Sequence, residues 1–430
     1  MSYEIALTTD SSSESPCVLS WETSSWMQLK AYKQGVCPRK CLVLLSQSYI
    51  LAAQTSKPLL YMWDISKEQM HRKMTCPTNI QVLTASPNGA YCAAASSETI
   101  YIWQVSTGNQ LCSLTRHFQP IKCLNFTDDN SYLISGADDN VVFVWPVLRL
   151  VSQSHNIQEE TSYIKPKYTW SDHSLPITSI HVGRGGKYAR VATSSLDHTC
   201  KLWDLSAGHL LRSFVFDVAI TSVAMDAAEY RLFAGDFHGK IYTVHLFSQT
   251  FSGESLNEHT ESQCFVGHSM QVTGLSLSMD GLTLLSGSND CTARVWDVSS
   301  RQCLKVLEHK GNVENVQIHP RFQNFDIKSS KQSLPVIGTF ETSVHNFATQ
   351  EEQSVPVRIF NKNNWHEKQH GLLEYVLREN FENETSGGEK ELSKFDIKEK
   401  LKESNELNQA LYKFTVEELL SKVQEQSENS

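Results

Sequence analysis

The amino-acid sequence predicts an all-β fold, a seven-bladed β-propeller followed by a C-terminal linker and a short α-helical tail. An apolar, strand-like segment that ends in Trp recurs along the chain, and in one copy Val stands at the Trp position. The segments end at Trp21, Trp63, Trp103, Trp145, Trp203, Val244 and Trp296. A repeat of about 40–45 residues corresponds to one four-stranded blade. Turn signals such as Pro87-Asn88-Gly89 and Asp280-Gly281 separate the segments, as expected for hairpins.

Three of the repeats share a second pattern, in which a His, a Ser or Thr, an Asp and a Trp recur at matching spacings. The three sets are His117, Ser135, Asp139 and Trp145; His173, Thr193, Asp197 and Trp203; and His268, Ser286, Asp290 and Trp296. Three segments also keep a Trp-Asp dipeptide, at Trp63-Asp64, Trp203-Asp204 and Trp296-Asp297. These features resemble the WD40 repeat, and the resemblance implies a hydrogen-bonded chain from Trp to Ser or Thr to His to Asp. Such a network satisfies buried polar groups together.

Ser, His and Asp also form hydrolase triads, so a catalytic role has to be weighed against a structural one. The set here recurs in three repeats, each time with an indole partner, and no Gly-x-Ser-x-Gly elbow is present. No Gly-rich phosphate loop stands out either. We therefore predict structural residues, no enzyme activity, no catalytic residues and no cofactor.

The two ends of the repeat region are expected to meet in one blade, because an open edge strand promotes aggregation. The N-terminal unit supplies three candidate strands, Glu4–Thr8, Cys17–Trp21 and Met27–Tyr32. The final strand, Val313–His319, is predicted to fill the innermost place of that first blade. Truncation before about Pro320 should then unfold the ring.

Two repeats are longer than the others. The insertions lie at Val147–Ile164 and Ser248–Gln263, each after the strand that ends at the Trp position and before the outermost strand. Both loops should emerge on the same face of the propeller. They indicate either the binding face or two tolerated surface loops.

Three regions are predicted: the propeller over 1–320, a linker over 321–388 and a helical tail over 389–430. The linker holds two apolar pieces, Leu334–Gly338 and Pro356–Phe360, which are either an extra strand pair or a peptide packed on the propeller. The tail carries an apolar seam at helical spacing, followed by a capping-box pattern at Thr415. The seam residues are Leu407, Leu411, Phe414, Leu419, Leu420 and Val423. A short amphipathic helix is marginal alone, so we expect self-association or docking to another subunit.

Composition narrows the functional classes. A net charge of −9 argues against a surface that is basic throughout. The basic run Lys33 to Lys40 is either a weak RNA- or phosphate-contact patch or, as we favour, a solvated loop. Cys37 and Cys41 lack a second ligand pair, so no metal site is predicted. The scattered cysteines indicate reduced thiols, and neither a signal peptide nor an apolar run of membrane length is evident.

Several stretches are more specific than the generic repeat, namely Leu83–Gly89, Leu175–Ile180, Ala189–Asp197 and Phe216–Glu229. Together they resemble the WD repeat-containing protein 18 family over roughly residues 1 to 315. The resemblance implies a non-catalytic subunit of a nuclear complex that matures the large ribosomal subunit and processes the internal spacer of pre-ribosomal RNA. It also implies a large helical-repeat scaffold subunit as partner, indirect contact with an AAA ATPase and the pre-ribosomal particle, and pairing of two copies through the C-terminal helix. The implied location is the nucleolus and nucleoplasm, with the cytoplasm as a further site.

Two other classes of WD-repeat protein remain open. A substrate receptor of a cullin ubiquitin ligase often carries Trp-Asp-x-Arg, whereas the segments here continue as Trp63-Asp-Ile-Ser, Trp203-Asp-Leu-Ser and Trp296-Asp-Val-Ser. A signalling adaptor would recognise a peptide at the mouth of the central channel, which the sequence does not map.

Overall fold

The computed structural model describes residues 4–12, 17–45, 48–152, 164–247, 264–321 and 337–340. These residues form seven antiparallel sheets of four strands each, arranged as the blades of a propeller. The predicted seven-bladed all-β fold is therefore confirmed. Among the described residues no helix is long and apolar enough to span a membrane.

In blades 2 to 7 the strands follow one another in chain order, and the first strand of each blade lies innermost. Blades 2, 3 and 4 contain β4 (Leu42–Leu45), β5 (Tyr49–Ala53), β6 (Leu59–Asp64), β7 (Met70–Thr75), β8 (Val82–Ala85), β9 (Tyr91–Ser96), β10 (Thr99–Gln104), β11 (Gln110–Thr115), β12 (Ile121–Phe126), β13 (Tyr132–Ala137), β14 (Val142–Pro146) and β15 (Tyr168–Trp170). Blades 5, 6 and 7 contain β16 (Ile177–Val182), β17 (Arg190–Ser195), β18 (Thr199–Asp204), β19 (Leu210–Val215), β20 (Ile220–Met225), β21 (Arg231–Asp236), β22 (Ile241–His245), β23 (Cys264–Phe265), β24 (Val272–Leu277), β25 (Thr283–Ser288), β26 (Thr292–Asp297) and β27 (Cys303–Glu308).

Blade 1 joins both ends of the ring. It contains β1 (Glu4–Asp10), β2 (Val18–Glu22) and β3 (Gln28–Tyr32), and its innermost strand is β28 (Val313–Pro320). Glu4 pairs with Pro320 and Asp10 with Val313, so the two termini of the ring form one antiparallel ladder. The predicted closure is confirmed, and the ladder removes the open edges that an incomplete blade would expose.

The blades pack against one another through buried apolar side chains, and some strands, such as β5, are buried along their whole length. The Trp side chains at positions 63, 103, 145, 203 and 296 are almost fully buried between neighbouring blades. Turns that join the strands use the predicted glycines, since Gly89 and Gly281 adopt φ values of 70° and 69°. Left-handed backbone of this kind costs glycine little.

We call the propeller face on which the innermost strands begin the entry face, and the opposite one the exit face. In an antiparallel blade the turn between the third and fourth strands lies on the exit face, so both insertions emerge there, as predicted. The first insertion opens with a short helix, α1 (Val147–Ser152), which buries Val147 and Leu150. The sequence predicted a polar loop at this point, and that prediction was wrong for Val147–Ser152. Residues 153–163 and 248–263 lie outside the described part of the chain.

One apolar piece of the linker packs on the propeller. Ile337 and Phe340 are buried in the same cluster as side chains of blades 2 and 3. Of the two alternatives for this piece, the packed peptide is the one that the structure shows for its described residues, Ile337 and Gly338. The second piece, Pro356–Phe360, lies outside the described residues.

Candidate functional site

The predicted polar network is present in blades 4, 5 and 7. In blade 5 the Trp203 indole N–H donates to Thr193 Oγ1 at 3.0 Å, and Thr193 Oγ1 lies 2.8 Å from His173 Nε2. His173 Nδ1 lies 2.9 Å from Asp197 Oδ2. Blades 4 and 7 repeat this geometry, with separations between 2.7 and 3.0 Å in the sets His117, Ser135, Asp139, Trp145 and His268, Ser286, Asp290, Trp296.

The network fixes the protonation of its members. Every group is satisfied when the hydroxyl donates to His Nε2 and the Nδ1–H of a neutral imidazole donates to an ionised Asp. Burial by itself raises the pKa of Asp139, but the hydrogen bonds from His117 and from backbone N–H groups outweigh it, and the pKa lies below its ordinary value. The pKa values of Asp197 and Asp290 are lowered in the same way, against the opposing effect of burial. Burial lowers the pKa of His268, which favours the neutral ring.

The geometry differs from a hydrolase triad at the nucleophile. Ser135, Thr193 and Ser286 are fully buried, and each hydroxyl oxygen accepts a hydrogen bond from an indole. A substrate carbonyl therefore has no access to these oxygens. The residues act as cross-links that hold each blade's strands and its leading loop together.

Two further members of the network were missed in the sequence. The hydroxyls of Thr199 and Thr292 donate to Asp197 and Asp290 at 2.6 Å. Each Thr follows its Asp by two residues, a spacing that blade 4 lacks because Val141 stands there. This regularity was available as a signal in blades 5 and 7.

The end of the basic run before β4 lies inside the propeller, whereas the sequence favoured a solvated loop. Arg39 and Lys40 extend into the central channel near the entry face, where they bond to backbone carbonyls of other blades. Arg39 donates to Thr273 O through Nε at 2.9 Å and to Thr221 O at 3.1 Å, and Lys40 donates to Thr178 O. Burial lowers the pKa of Arg39 and of Lys40. The favoured prediction of a solvated loop was therefore wrong for these two residues. The alternative, a patch open to RNA, does not fit their contacts with backbone carbonyls.

Cys37 and Cys41, in the same segment, are fully buried. Burial raises the pKa of both thiols well above its ordinary value, which disfavours the thiolate that metals bind. No cluster of three or more His, Cys, Asp or Glu side chains with metal-binding geometry occurs among the described residues.

Below Arg39 and Lys40 the channel contains a cavity of about 380 Å³ lined by the innermost strands. Its wall includes Lys40, His181 and Glu314, together with Asp128 and Asp226. Burial raises the pKa of Glu314, and Arg39 opposes that effect. Because basic side chains cross the channel at the entry face, a peptide threaded through the whole ring would have to displace them.

The exit face carries exposed aromatic side chains beside the insertions. Tyr188 and Tyr230 are 69% and 60% exposed, and Phe247, next to the second insertion, is 52% exposed. Tyr230 packs edge-on against Phe247 at 5.2 Å, and the Arg190 guanidinium lies 4.7 Å from the Phe247 ring centre. Exposed aromatic side chains in a group are characteristic of protein interfaces. The predicted tail seam (Leu407, Leu411, Phe414, Leu419, Leu420 and Val423) lies outside the described residues.

Seven blades of this topology with Trp–Ser/Thr–His–Asp networks define a WD-repeat β-propeller. The family model described as WD domain, G-beta repeat matches residues 108–146, 164–204 and 259–297. These matches cover the three blades that contain the complete network, while the other four blades are recognised from their strands and spacing.

Comparison of whole sequences identifies the family. The chain is 44% identical to WD repeat-containing protein 18 of Homo sapiens over 73% of its own length and 72% of the relative's. It is 39% identical to the protein of that name from Danio rerio, over 77% of each. The chain belongs to the WD repeat-containing protein 18 family, which confirms the resemblance found in the sequence. A more distant relative, 26% identical over 63% of this chain and 67% of its own, is the Schizosaccharomyces pombe pre-rRNA-processing protein crb3/ipi3.

Proposed function

We propose that this chain acts in ribosome biogenesis, as a non-catalytic scaffold subunit of a nuclear complex that matures the large ribosomal subunit. The observation that carries the proposal is its membership of the WD repeat-containing protein 18 family, together with a relative named as a pre-rRNA-processing protein. Processing of the internal spacer of pre-ribosomal RNA, and a location in the nucleolus and nucleoplasm, follow from the same argument.

A scaffold role suits the chemistry of the described residues. The recurring His, Ser or Thr and Asp side chains bond to one another inside the blades, and they leave no exposed nucleophile–base pair. Binding then depends on the faces and the rim. We propose that the exit face of blades 5 and 6, with Tyr188, Tyr230 and Phe247, binds the large helical-repeat subunit, since exposed aromatic side chains there have no cover.

The tail is proposed to pair two copies of the chain. Its seam residues Leu407, Leu411 and Phe414 recur at spacings of four and three, as in a coiled coil. The AAA ATPase and the pre-ribosomal particle would then be reached through the assembled complex, and not through the propeller alone.

The experiment is a tagged pull-down from nuclear extract with the full chain and two double variants. We expect the full chain to recover a helical-repeat scaffold subunit and large-subunit precursor particles. The double variant Tyr188→Ser and Tyr230→Ser should lose the scaffold subunit. The matched double variant on the entry face, Phe118→Ser and Phe237→Ser, should keep it, although its side chains are 81% and 53% exposed.

The tail is tested by Leu411→Glu with Phe414→Glu, matched by Asn405→Glu with Gln409→Glu off the seam. Light scattering should show loss of self-association in the first pair only. Recovery of a cullin adaptor without ribosomal precursors would overturn the ribosome-biogenesis assignment and leave a receptor propeller. Loss of the scaffold subunit in the entry-face variant alone would reverse the assignment of the binding face.

A further inference from the structure

The linker segment Ile337–Phe340 lies on the junction between blades 2 and 3. Ile337 and Phe340 are 6% and 2% exposed, which is the burial of core side chains. The Phe340 ring stacks on the Trp103 indole, with centroids 5.3 Å apart and planes 5° from parallel. The segment therefore occupies a groove that is part of the apolar core of these blades.

Backbone contacts hold the segment in one register. The Gly338 N–H donates to Val105 O at 2.9 Å, and Arg72 Nη1 donates to Ile337 O at 2.9 Å. A Cβ on residue 338 would lie 2.0 Å from the carbonyl carbon of Thr107. Only glycine allows this approach of two backbones.

Other blades show what the groove lacks. Trp170, on the outermost strand of blade 4, stacks on Trp203 of blade 5 at 4.6 Å. Phe265, on the outermost strand of blade 6, packs on Trp296 of blade 7 at 5.6 Å. Both aromatic residues occupy the same register. Each pairs with a residue on the third strand of its own blade, three positions before the Trp or Val that ends the repeat segment.

In blade 2 this register position holds Met74, which pairs with Leu60. Phe340, from a distant part of the chain, provides the aromatic ring that stacks on Trp103 of blade 3. Trp103 also lies in a repeat without the network, because Ala93 and Ser97 stand at the Ser/Thr and Asp positions. The groove therefore lies where an aliphatic side chain, which blades 3 and 7 also have at this register, meets a repeat without the network.

We propose that the junction of blades 2 and 3 is a peptide-binding groove, and that its ligand is this chain's own segment Ile337–Phe340. The groove selects an aliphatic side chain, a glycine directly after it and an aromatic side chain two residues further on. The site goes beyond the proposed function and does not depend on it. Because the ligand is tethered, its effective concentration is about millimolar, and a free peptide competes only when the tethered one is weakened.

The first test compares Gly338→Ala with Thr339→Ala in the full chain. Hydrogen–deuterium exchange should show protected amides at 337–340 in the wild type. Gly338→Ala should raise their exchange rate by about tenfold or more, since the added methyl meets backbone. Thr339 is exposed, so Thr339→Ala should leave the rate unchanged.

The second test adds a fluorescent peptide of residues 333–343 to the same full-length proteins. By fluorescence anisotropy it should bind the Gly338→Ala chain and bind the wild type at least about tenfold more weakly, because the tethered segment competes. A peptide with Phe340→Ala should bind neither. Phe340→Ala in the chain provides a second acceptor whose groove is empty without a steric clash.

Unprotected amides at 337–340 in the wild type, or equal peptide binding by all variants, would overturn the proposal. Protection that is lost when the wild-type protein is diluted would also overturn it, because the ligand would then come from a second copy of the chain. Protection that does not depend on protein concentration supports the tethered ligand.

Discussion

The indole of Trp203 stacks on the indole of Trp170 with ring centroids 4.6 Å apart and planes 9° from parallel, although the two residues belong to different blades. The Trp170 N–H also donates to Gly208 O in blade 5 at 2.8 Å. One side chain thus joins blades 4 and 5 through both its ring face and its polar edge.

Trp170→Leu is expected to lower the free energy of unfolding by about 3 kcal/mol, through lost stacking, lost burial and an unsatisfied carbonyl. Urea denaturation followed by circular dichroism measures the change. Phe118→Leu, an aromatic-to-Leu change at an exposed position, should shift stability by less than about 0.5 kcal/mol. Equal effects of the two changes would show that the stack contributes nothing.

Thr193→Val replaces a buried hydroxyl by a methyl group of the same size. The Trp203 N–H and the His173 ring then each lose a partner, which should destabilise the fold by about 2–3 kcal/mol. Thr169→Val, on an exposed position of β15, is the matched control and should be nearly neutral. Thermal unfolding of the two variants measures the difference in stability. A Thr193→Val chain as stable as the wild type would mean that the network is dispensable in blade 5.

Two buried histidines should make the propeller less stable as the pH falls below neutral. Burial lowers the pKa of His181 and of His319 to about 4. The unfolded chain therefore binds more protons below an ordinary His pKa of about 6.5, and stability falls as the pH drops from there to about 4. The lowered Asp pKa values extend the loss below that range.

Urea midpoints measured from about pH 7.5 to about pH 4.5, a range that spans the titration of these histidines, test how stability depends on pH. The double variant His181→Asn with His319→Asn should flatten this dependence, whereas the exposed His209→Asn should not. A slope that is unchanged in the double variant would contradict the assignment of these two imidazoles.

Removal of β28 should prevent closure of the ring. Without it, β1 keeps its ladder with β2 and loses the one with β28. The Asn315 amide also no longer donates to Thr9 Oγ1 and Pro38 O, each at 2.9 Å. A chain ending at Lys310 should be aggregated in size-exclusion chromatography, while one ending at Gly388 should keep the propeller's circular dichroism and solubility. A folded, monodisperse chain ending at Lys310 would disprove the closure argument.

Much of the fold was predictable because a propeller repeats short-range relationships. Asp197 precedes Trp203 by six residues, as Asp290 precedes Trp296, and this spacing together with the resemblance to the WD40 repeat predicted which side chains would bond. Blade 6 was found despite Val244, since its strand pattern remained. The helix at Val147 was missed because its apolar residues follow a strand without a turn signal.

The sequence by itself determined the number of blades, the closure in blade 1 and the members of the networks, since each depends on spacings within a repeat or on the two ends of the ring. Only the tertiary structure decided that Arg39 reaches Thr273 across the channel and that Phe340 covers Trp103. These partners lie more than 200 residues apart. Ring closure brings such residues together through geometry that no local spacing encodes, so the channel's closure and the groove between blades 2 and 3 became visible only in the folded molecule.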